Sequence, residues 1–333
     1  GFKLSDELEA EVENLVLTGK INDIRPTADE IGKAYRIDDA IGRYIVFCKN
    51  TFPTDLTLDG LKIVLDCANG ATYKVAPIIF SELGAQIVAI HNKPDGKNIN
   101  DNCGSQHISD MQKAVIAEKA NIGLAFDGDG DRLIAVDERG QAITGDHILA
   151  ICARHMKAAG TLSGNMVVST PMSNLGFRVA LKELGIRHLE AKVGDRHVLE
   201  MMMKNHAAIG GEESGHLIFL SHHTTGDGII SALQLLAILK QSGRNLSELA
   251  SVMHLFPQKL INITVSRKPA LEEVPEIQKA LRQAEAELGE RGRILLRYSG
   301  TQPMCRVMVE GPTAEATGRL AESLAAVVRQ QLA

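Results

Sequence analysis

The stretch Asp127-Gly128-Asp129-Gly130-Asp131-Arg132 carries the densest chemistry in the chain. Three carboxylates at alternate positions repel one another unless a cation sits among them, and burying them without one is costly. The two intervening glycines open backbone angles that let all three side chains turn toward one point. Oxygen-only ligands suit a hard ion, and so sparse a set suits Mg²⁺, which keeps water or substrate oxygens in its remaining positions. Three other readings compete. A solvated turn is a common use of Asp and Gly. An EF-hand loop starting at Asp127 would end well at Glu138, but it puts Arg132 where glycine is needed, between strand-like flanks. A two-aspartate phosphatase fits poorly, because no Thr or Val lies two places after either aspartate pair.

Two further stretches have chemical promise. In Arg297-Tyr298-Ser299-Gly300-Thr301-Gln302-Pro303, followed by Arg306, successive backbone N–H groups can form an anion nest. Two hydroxyls and flanking guanidinium groups would complete a phosphate cradle, although a hairpin turn with incidental arginines reads the same way. No GxxxxGK[ST] loop is present, so nucleotide hydrolysis has no support. In Gly210-Gly211-Glu212-Glu213-Ser214-Gly215-His216, the alternate residues Glu212, Ser214 and His216 would point one way on an extended segment. They could grip sugar hydroxyls, with His216 handling protons or phosphate, though a lone loop histidine is more often structural. Lys192 and Arg196, beside Gly194, are a weaker candidate for anion contact, and His222 and His223 read as surface residues.

The elements that must hold these residues alternate between strand and helix. Apolar runs at 122–126 and 133–136 flank the aspartate loop. Upstream, 61–65, a turn at 66–70, a helix near 74–83 and 86–90 read as strand, turn, helix, strand, with a long loop at 92–105 and a helix at 108–119. The pattern returns about 100 residues later at 166–169, 175–184 and 187–191, and Glu82-Leu83-Gly84 recurs as Glu183-Leu184-Gly185. Duplication of an α/β unit accounts for this, as does chance likeness of two ordinary ones. Thr225-Gly226-Asp227-Gly228 caps an apolar helix at 228–241, after a strand at 217–220. From about Pro257 the order changes to β-α-β-β-α: 259–265, 271–288, 293–298, 305–309 and a last helix bearing Leu320, Leu324, Val328 and Leu332. At the start, helices are expected over 4–19 and 27–48.

A chain of 333 residues, 44% hydrophobic and 23% charged, has the makings of several packed domains. A net charge of −5 gives no reason to expect nucleic acid or an anionic membrane as partner. Cys48, Cys67, Cys103, Cys152 and Cys305 form no CxxC pair and read as free thiols of a reducing compartment. With no signal peptide and no membrane-length apolar run, the expected location is the cytoplasm.

The three stretches, in this order and at these separations, resemble the α-D-phosphohexomutase superfamily, and within it the bacterial phosphoglucosamine mutase family. Supporting stretches are Pro94–Asn100 with Cys103-Gly104-Ser105, Pro171–Gly176 and Lys192–Arg196, and the likeness spans essentially the whole chain. It implies a fold of tandem three-layer α/β domains followed by a small α+β domain. The expected divisions are 1–38 (the remainder of a first domain), 39–139, 140–256 and 257–333. The implied chemistry interconverts glucosamine 6-phosphate and glucosamine 1-phosphate through a bisphosphorylated intermediate, feeding amino-sugar nucleotide and cell-wall synthesis. The resemblance implies Asp127, Asp129 and Asp131 as Mg²⁺ ligands, with Arg132 near the reacting phosphoryl group. It implies Glu212, Ser214 and His216 on the sugar, Lys192 and Arg196 as further substrate contacts, and Arg297, Ser299, Gly300, Thr301 and Arg306 on the other phosphate. It allows for a homodimer.

Some features depart from the family pattern. The Ser-His-Asn-Pro loop that carries the phosphoserine is absent, as is a nearby lysine; in relatives that loop precedes a stretch like Gly1–Leu8. The expectation is therefore of a truncated sequence that does not turn over by itself. Glu213 stands where Gln is frequent, and Gln302 where Glu is frequent. A mannose or glucose phosphate mutase of the same superfamily, or a non-catalytic sugar-phosphate binder, are the alternative readings.

Overall fold

The computed structural model describes residues 3–299 and 302–333. The chain divides into two compact units, one of residues up to Pro171 with Leu189–Ala250, the other of Met172–His188 with Ser251–Ala333.

In the first unit, strands β1 (Lys62–Asp66), β2 (Gln86–Ile90), β3 (Ile122–Phe126), β4 (Leu133–Asp137) and β5 (Ala142–Ile143) form a sheet ordered β2-β1-β3-β4-β5. β1 runs parallel to β2 and β3, and β4 antiparallel to β3 and β5. The helices Thr72–Glu82 and Ser109–Ala117 make the crossovers that parallel strands require. Every residue of β3 and β4 is buried, which is why both read as unbroken apolar runs rather than alternating ones.

A second sheet contains β6 (Met166–Ser169), β7 (Arg187–Glu190), β8 (Ile209–Gly211) and β9 (Leu217–Phe219), ordered β7-β6-β8-β9. β8 is parallel to β6 and antiparallel to β9. Both sheets therefore run second, first, third, fourth, with the direction reversing at the fourth strand, as the recurrence in sequence suggested. The reversal matters for chemistry. In each sheet the turn between third and fourth strands carries one of the singled-out loops, Asp127–Arg132 between β3 and β4, and Glu212–His216 between β8 and β9.

Two helices of the first unit, Gly145–Ala158 and Gly228–Ser242, pack together. The second was legible from its Asp227 cap, whose Oδ1 accepts the Ile230 N–H at 3.0 Å. Its Oδ2 accepts from the Tyr44 hydroxyl at 2.8 Å. The expected helix over 27–48 is shorter, with only Ala40–Lys49 forming an α-helix. Residues 20–43 are exposed throughout, and a helix without a buried face gains little to offset its ordering.

The second unit's strands β10 (Gln258–Thr264), β11 (Arg293–Tyr298) and β12 (Met304–Glu310) are antiparallel in the order β10-β12-β11. The helices Pro275–Leu288 and Ala314–Leu332 belong to the same core, the latter burying Leu320, Leu324, Val328 and Leu332. The first of these begins at Pro275, not at 271, because proline is preorganised for the first helical position and the preceding residues make only one tight turn. Glu310 is fully buried at the end of β12. It pairs with Arg293, accepts the Leu175 N–H at 3.1 Å and accepts from Asn174 Nδ2 at 3.2 Å. Removing the carboxylate takes the charge partner from Arg293, which keeps its hydrogen bond to the Ser173 carbonyl, so Glu310→Ala is expected to cost about 3 kcal/mol. Urea unfolding of this unit checks it, and a loss below about 1 kcal/mol would contradict the pairing.

Candidate active site

One carboxylate oxygen each of Asp127, Asp129 and Asp131 lies within 4.8 Å of the others. The loop is held by its backbone. Ala71 N–H donates to the Gly128 carbonyl at 2.8 Å, Gly228 N–H to the Gly130 carbonyl at 2.9 Å, and Arg132 N–H to Asp127 Oδ1 at 3.1 Å. Gly70 allows this approach, since a Cβ there would stand 2.2 Å from the Gly128 carbonyl oxygen. Arg132 Nε lies 3.8 Å from both Asp127 Oδ2 and Asp131 Oδ1. Burial, then the charge of Asp131, pushes Asp127 up to about 7. The hydrogen bond from His216 holds Asp131 below the usual carboxylate range. Asp131 Oδ1 is buried without a hydrogen-bond partner. A buried carboxylate oxygen with no hydrogen bond, beside two more carboxylates, fits a hard divalent cation.

The second loop is knitted to the first. Leu133 N–H donates to the Gly215 carbonyl at 3.0 Å, and Arg132 forms a bridge with His216. Gly215 has φ +95°, and a Cβ there would fall 2.2 Å from the Leu133 carbonyl oxygen, so only glycine fits. Glu212 Oε1 accepts the Gly194 N–H at 3.0 Å, while the Ser214 hydroxyl is buried without a partner.

His216 has a setting the sequence did not disclose. It is 3% exposed, with Nδ1 at 3.0 Å from Asp131 Oδ2, and Nε2 accepts the Gly226 N–H at 3.1 Å. Nε2 also lies 3.7 Å from Asp195 Oδ2. A backbone N–H can only donate, so Nε2 carries the lone pair and the ring proton sits on Nδ1, given to Asp131. His216 thus orients a metal-ligand candidate rather than reaching out to a sugar, as had been expected of it. Loss of such a supporting histidine typically weakens metal binding about 10–100-fold. His216→Ala is expected to do so here in a calorimetric Mg²⁺ titration with the far-UV spectrum unchanged; wild-type affinity would rule the role out.

Lys192 is exposed. Arg196, expected to contact substrate, is taken up by the amino-terminal segment. Its Nη2 donates to the Leu4 carbonyl and to Glu9 Oε1, both at 2.6 Å, and its Nη1 pairs with Asp6. Asp195 pairs with Lys3.

In the second unit, Arg297 on β11 and Arg306 on β12 are direct cross-strand partners. Like charges directly opposite destabilise a strand pair. Arg306 Nε is buried without a hydrogen-bond partner, and Arg297 Nη2 lies 3.7 Å from Met172 Sδ. Ser299 is 5% exposed and donates its N–H to the Met304 carbonyl at 2.8 Å. Gly300 and Thr301, also expected in the cradle, lie outside the described residues. Sequence reasoning missed Lys268, whose Nζ donates to the Ser299 and Gln302 carbonyls, each at 3.0 Å. Its one signal was a basic pair, Arg267-Lys268, just past β10. The lysine ties down the Ser299 and Gln302 carbonyls and brings a positive charge to that end of the hairpin.

Comparison with known proteins bears on the family and the fold. Residues 43–140 match the phosphoglucomutase/phosphomannomutase alpha/beta/alpha domain II, residues 144–256 domain III, and residues 260–327 the C-terminal domain. A phosphoglucosamine mutase of Syntrophobacter fumaroxidans is 59% identical over 329 residues, 99% of this chain and 73% of that protein. One of Syntrophus aciditrophicus is 54% identical over 332 residues, covering 100% and 74%. Among solved structures, a phosphoglucomutase/phosphomannomutase family protein of Burkholderia thailandensis superposes with TM-score 0.76 at 22% identity, covering 98% of this chain and 70% of that one. The N-acetylphosphoglucosamine mutase of Aspergillus fumigatus, in complex with GlcNAc-6P and magnesium, gives 0.72 at 20% identity, covering 90% and 67%. At such identities the structures speak for the fold. Among the described residues, no helix is long and apolar enough to cross a membrane.

Proposed function

Because the chain belongs to the phosphoglucosamine mutase family of phosphohexomutases, we propose that the full-length protein, with a phosphoserine that this sequence does not contain, moves a phosphoryl group between the 6- and 1-positions of glucosamine phosphate, with the aspartate loop as its Mg²⁺ site. The observation that carries the metal assignment is the convergence of three carboxylates on a buried, unpartnered Asp131 oxygen. Bound Mg²⁺ would offset the negative charge of the phosphoryl oxygens during transfer.

The chain's own residues then divide the work. Asp127, Asp129 and Asp131 hold the cation, His216 fixes Asp131, and Arg132 extends positive charge toward the reacting phosphoryl group. Glu212 and the Ser214 hydroxyl meet the sugar, with Lys192 as a further contact; Arg196, held by Leu4, Asp6 and Glu9, is not among them. Arg297, Ser299 and Arg306, together with Gly300 and Thr301, grip the phosphate that is not reacting. Phosphoryl transfer asks mainly for such positioning and charge stabilisation. The bisphosphorylated sugar of the family's reaction presents each phosphate in turn, which a cradle without sugar-specific contacts accommodates. We assign residues 39–139, 140–256 and 257–333 as successive domains after the 1–38 lead-in. Five buried, free cysteines fit a reducing, cytoplasmic setting.

The test follows ³¹P resonances of the full-length protein with Mg²⁺ and glucosamine 6-phosphate. Glucosamine 1-phosphate should accumulate, and mannose 6-phosphate should react at least about tenfold more slowly. Faster turnover of the mannose ester would overturn the sugar assignment.

A further inference from the structure

Asp66, His91 and Cys103 bring a carboxylate, an imidazole and a thiol together, with one ligating atom of each within 4.8 Å of the others. They come from the end of β1, the residue after β2, and the loop before Gly104–Gln106. None belongs to the aspartate loop. Asp66 is fully buried and Cys103 is 1% exposed, while the His91 side chain keeps 26% of its surface exposed, a path to solvent. We propose that these three residues form a second metal site, for a borderline-soft divalent ion of the Zn²⁺ class.

The donor set makes the distinction. The aspartate loop offers oxygen alone and suits a hard ion, whereas thiolate, imidazole and carboxylate together select zinc-like ions. The carboxylate is already oriented, because Ala68 N–H donates to Asp66 Oδ1 at 2.9 Å and Gly104 N–H to Oδ2 at 3.0 Å. His91 Nδ1 lies 3.0 Å from the same Oδ2. Two ligands on one tetrahedral ion, each bonded at about 2.0 Å, would stand about 3.3 Å apart. The metal-free protein bridges this gap with a hydrogen bond, and the ion would take the proton's place.

The displaced proton has somewhere to go. His91 Nε2 faces Asp110 Oδ2 at 3.8 Å, and the other oxygen of that carboxylate pairs with Lys113 Nζ at 2.9 Å. A histidine that ligates through one nitrogen ordinarily donates its other N–H to such a carboxylate. Asn69 Nδ2 donates toward Cys103 Sγ at 3.9 Å, while burial, then the charge of Asp66, pushes the thiol up to about 11, so the ion itself must displace its proton. Coordination therefore moves the imidazole proton from Nδ1 to Nε2, releases one proton from Cys103, and leaves a fourth position for water.

Co²⁺ is the probe. The full-length protein, first saturated with Mg²⁺ to fill the aspartate loop, is titrated with Co²⁺ and followed by absorption and proton release. One equivalent should produce a near-ultraviolet sulfur-to-cobalt band and release one proton, and Zn²⁺ should then abolish the band. Cobalt on the aspartate loop cannot give that band, because it has no sulfur. Cys103→Ser should remove the band with far-UV spectrum and Mg²⁺ affinity unchanged, and His91→Gln should weaken Co²⁺ binding at least about tenfold. No sulfur band at millimolar Co²⁺, or a band that survives in Cys103→Ser, overturns the proposal.

Discussion

In the full-length protein, Asp131→Asn is expected to lower turnover about a thousandfold while leaving the shape of the loop intact. The asparagine keeps an oxygen where Asp131 Oδ2 now accepts from His216 Nδ1 at 3.0 Å, so that hydrogen bond survives and only the charge is lost. One negative charge fewer weakens the hold on the cation, and misplacing a single charge-stabilising group at a reacting centre costs about 10²–10³ in rate. Excess Mg²⁺ should restore part of the activity. Without metal the variant should melt somewhat lower, because the folded state favours the Asp131 charge that the His216 hydrogen bond stabilises; saturating Mg²⁺, bound more tightly by the wild type, should widen the gap. A variant that keeps activity within tenfold, or whose melting gap does not widen when Mg²⁺ is added, contradicts the assignment.

The aspartate loop was legible because its composition is itself the signal. Alternating Asp and Gly between two apolar runs leaves few structural explanations. Its supports were not legible, since they come from far along the chain. His216 meets Asp131 across 85 residues, and neither its burial nor its tautomer can be seen without the Gly226 N–H on its far side. The helix Gly145–Ala158 escaped for a different reason. Its first nine residues are all buried, Asp146 and His147 among them, so two polar residues that would read as an exposed face lie in the core. Over residues 27–38 the error ran the other way, where apolar residues suggested a helix but no core lies beneath them. In the proposed phosphate cradle the arginines were visible, but their register was not. Only strand pairing sets Arg297 against Arg306, and only the fold brings Lys268 to the carbonyls of Ser299 and Gln302.

That register yields the other large effect. Arg306→Leu should raise KM for the sugar phosphate about a hundredfold and leave kcat within a few-fold. A charge-assisted hydrogen bond contributes about 1.5–3 kcal/mol, and in the proposed reaction the phosphate assigned to Arg306 is not the one reacting, so its loss is felt equally in ground and transition states. Without phosphate the same substitution should be neutral or stabilise the second unit by up to about 1 kcal/mol, since it removes a like charge placed directly opposite Arg297. Inorganic phosphate should protect the wild type against thermal unfolding and protect the variant much less. An arginine serving only as a structural tie would give the reverse, a lower melting temperature with KM unchanged. Steady-state kinetics and melting curves with and without phosphate therefore separate the two roles. A fall in kcat with KM unaltered would place Arg306 at the reacting phosphoryl group instead.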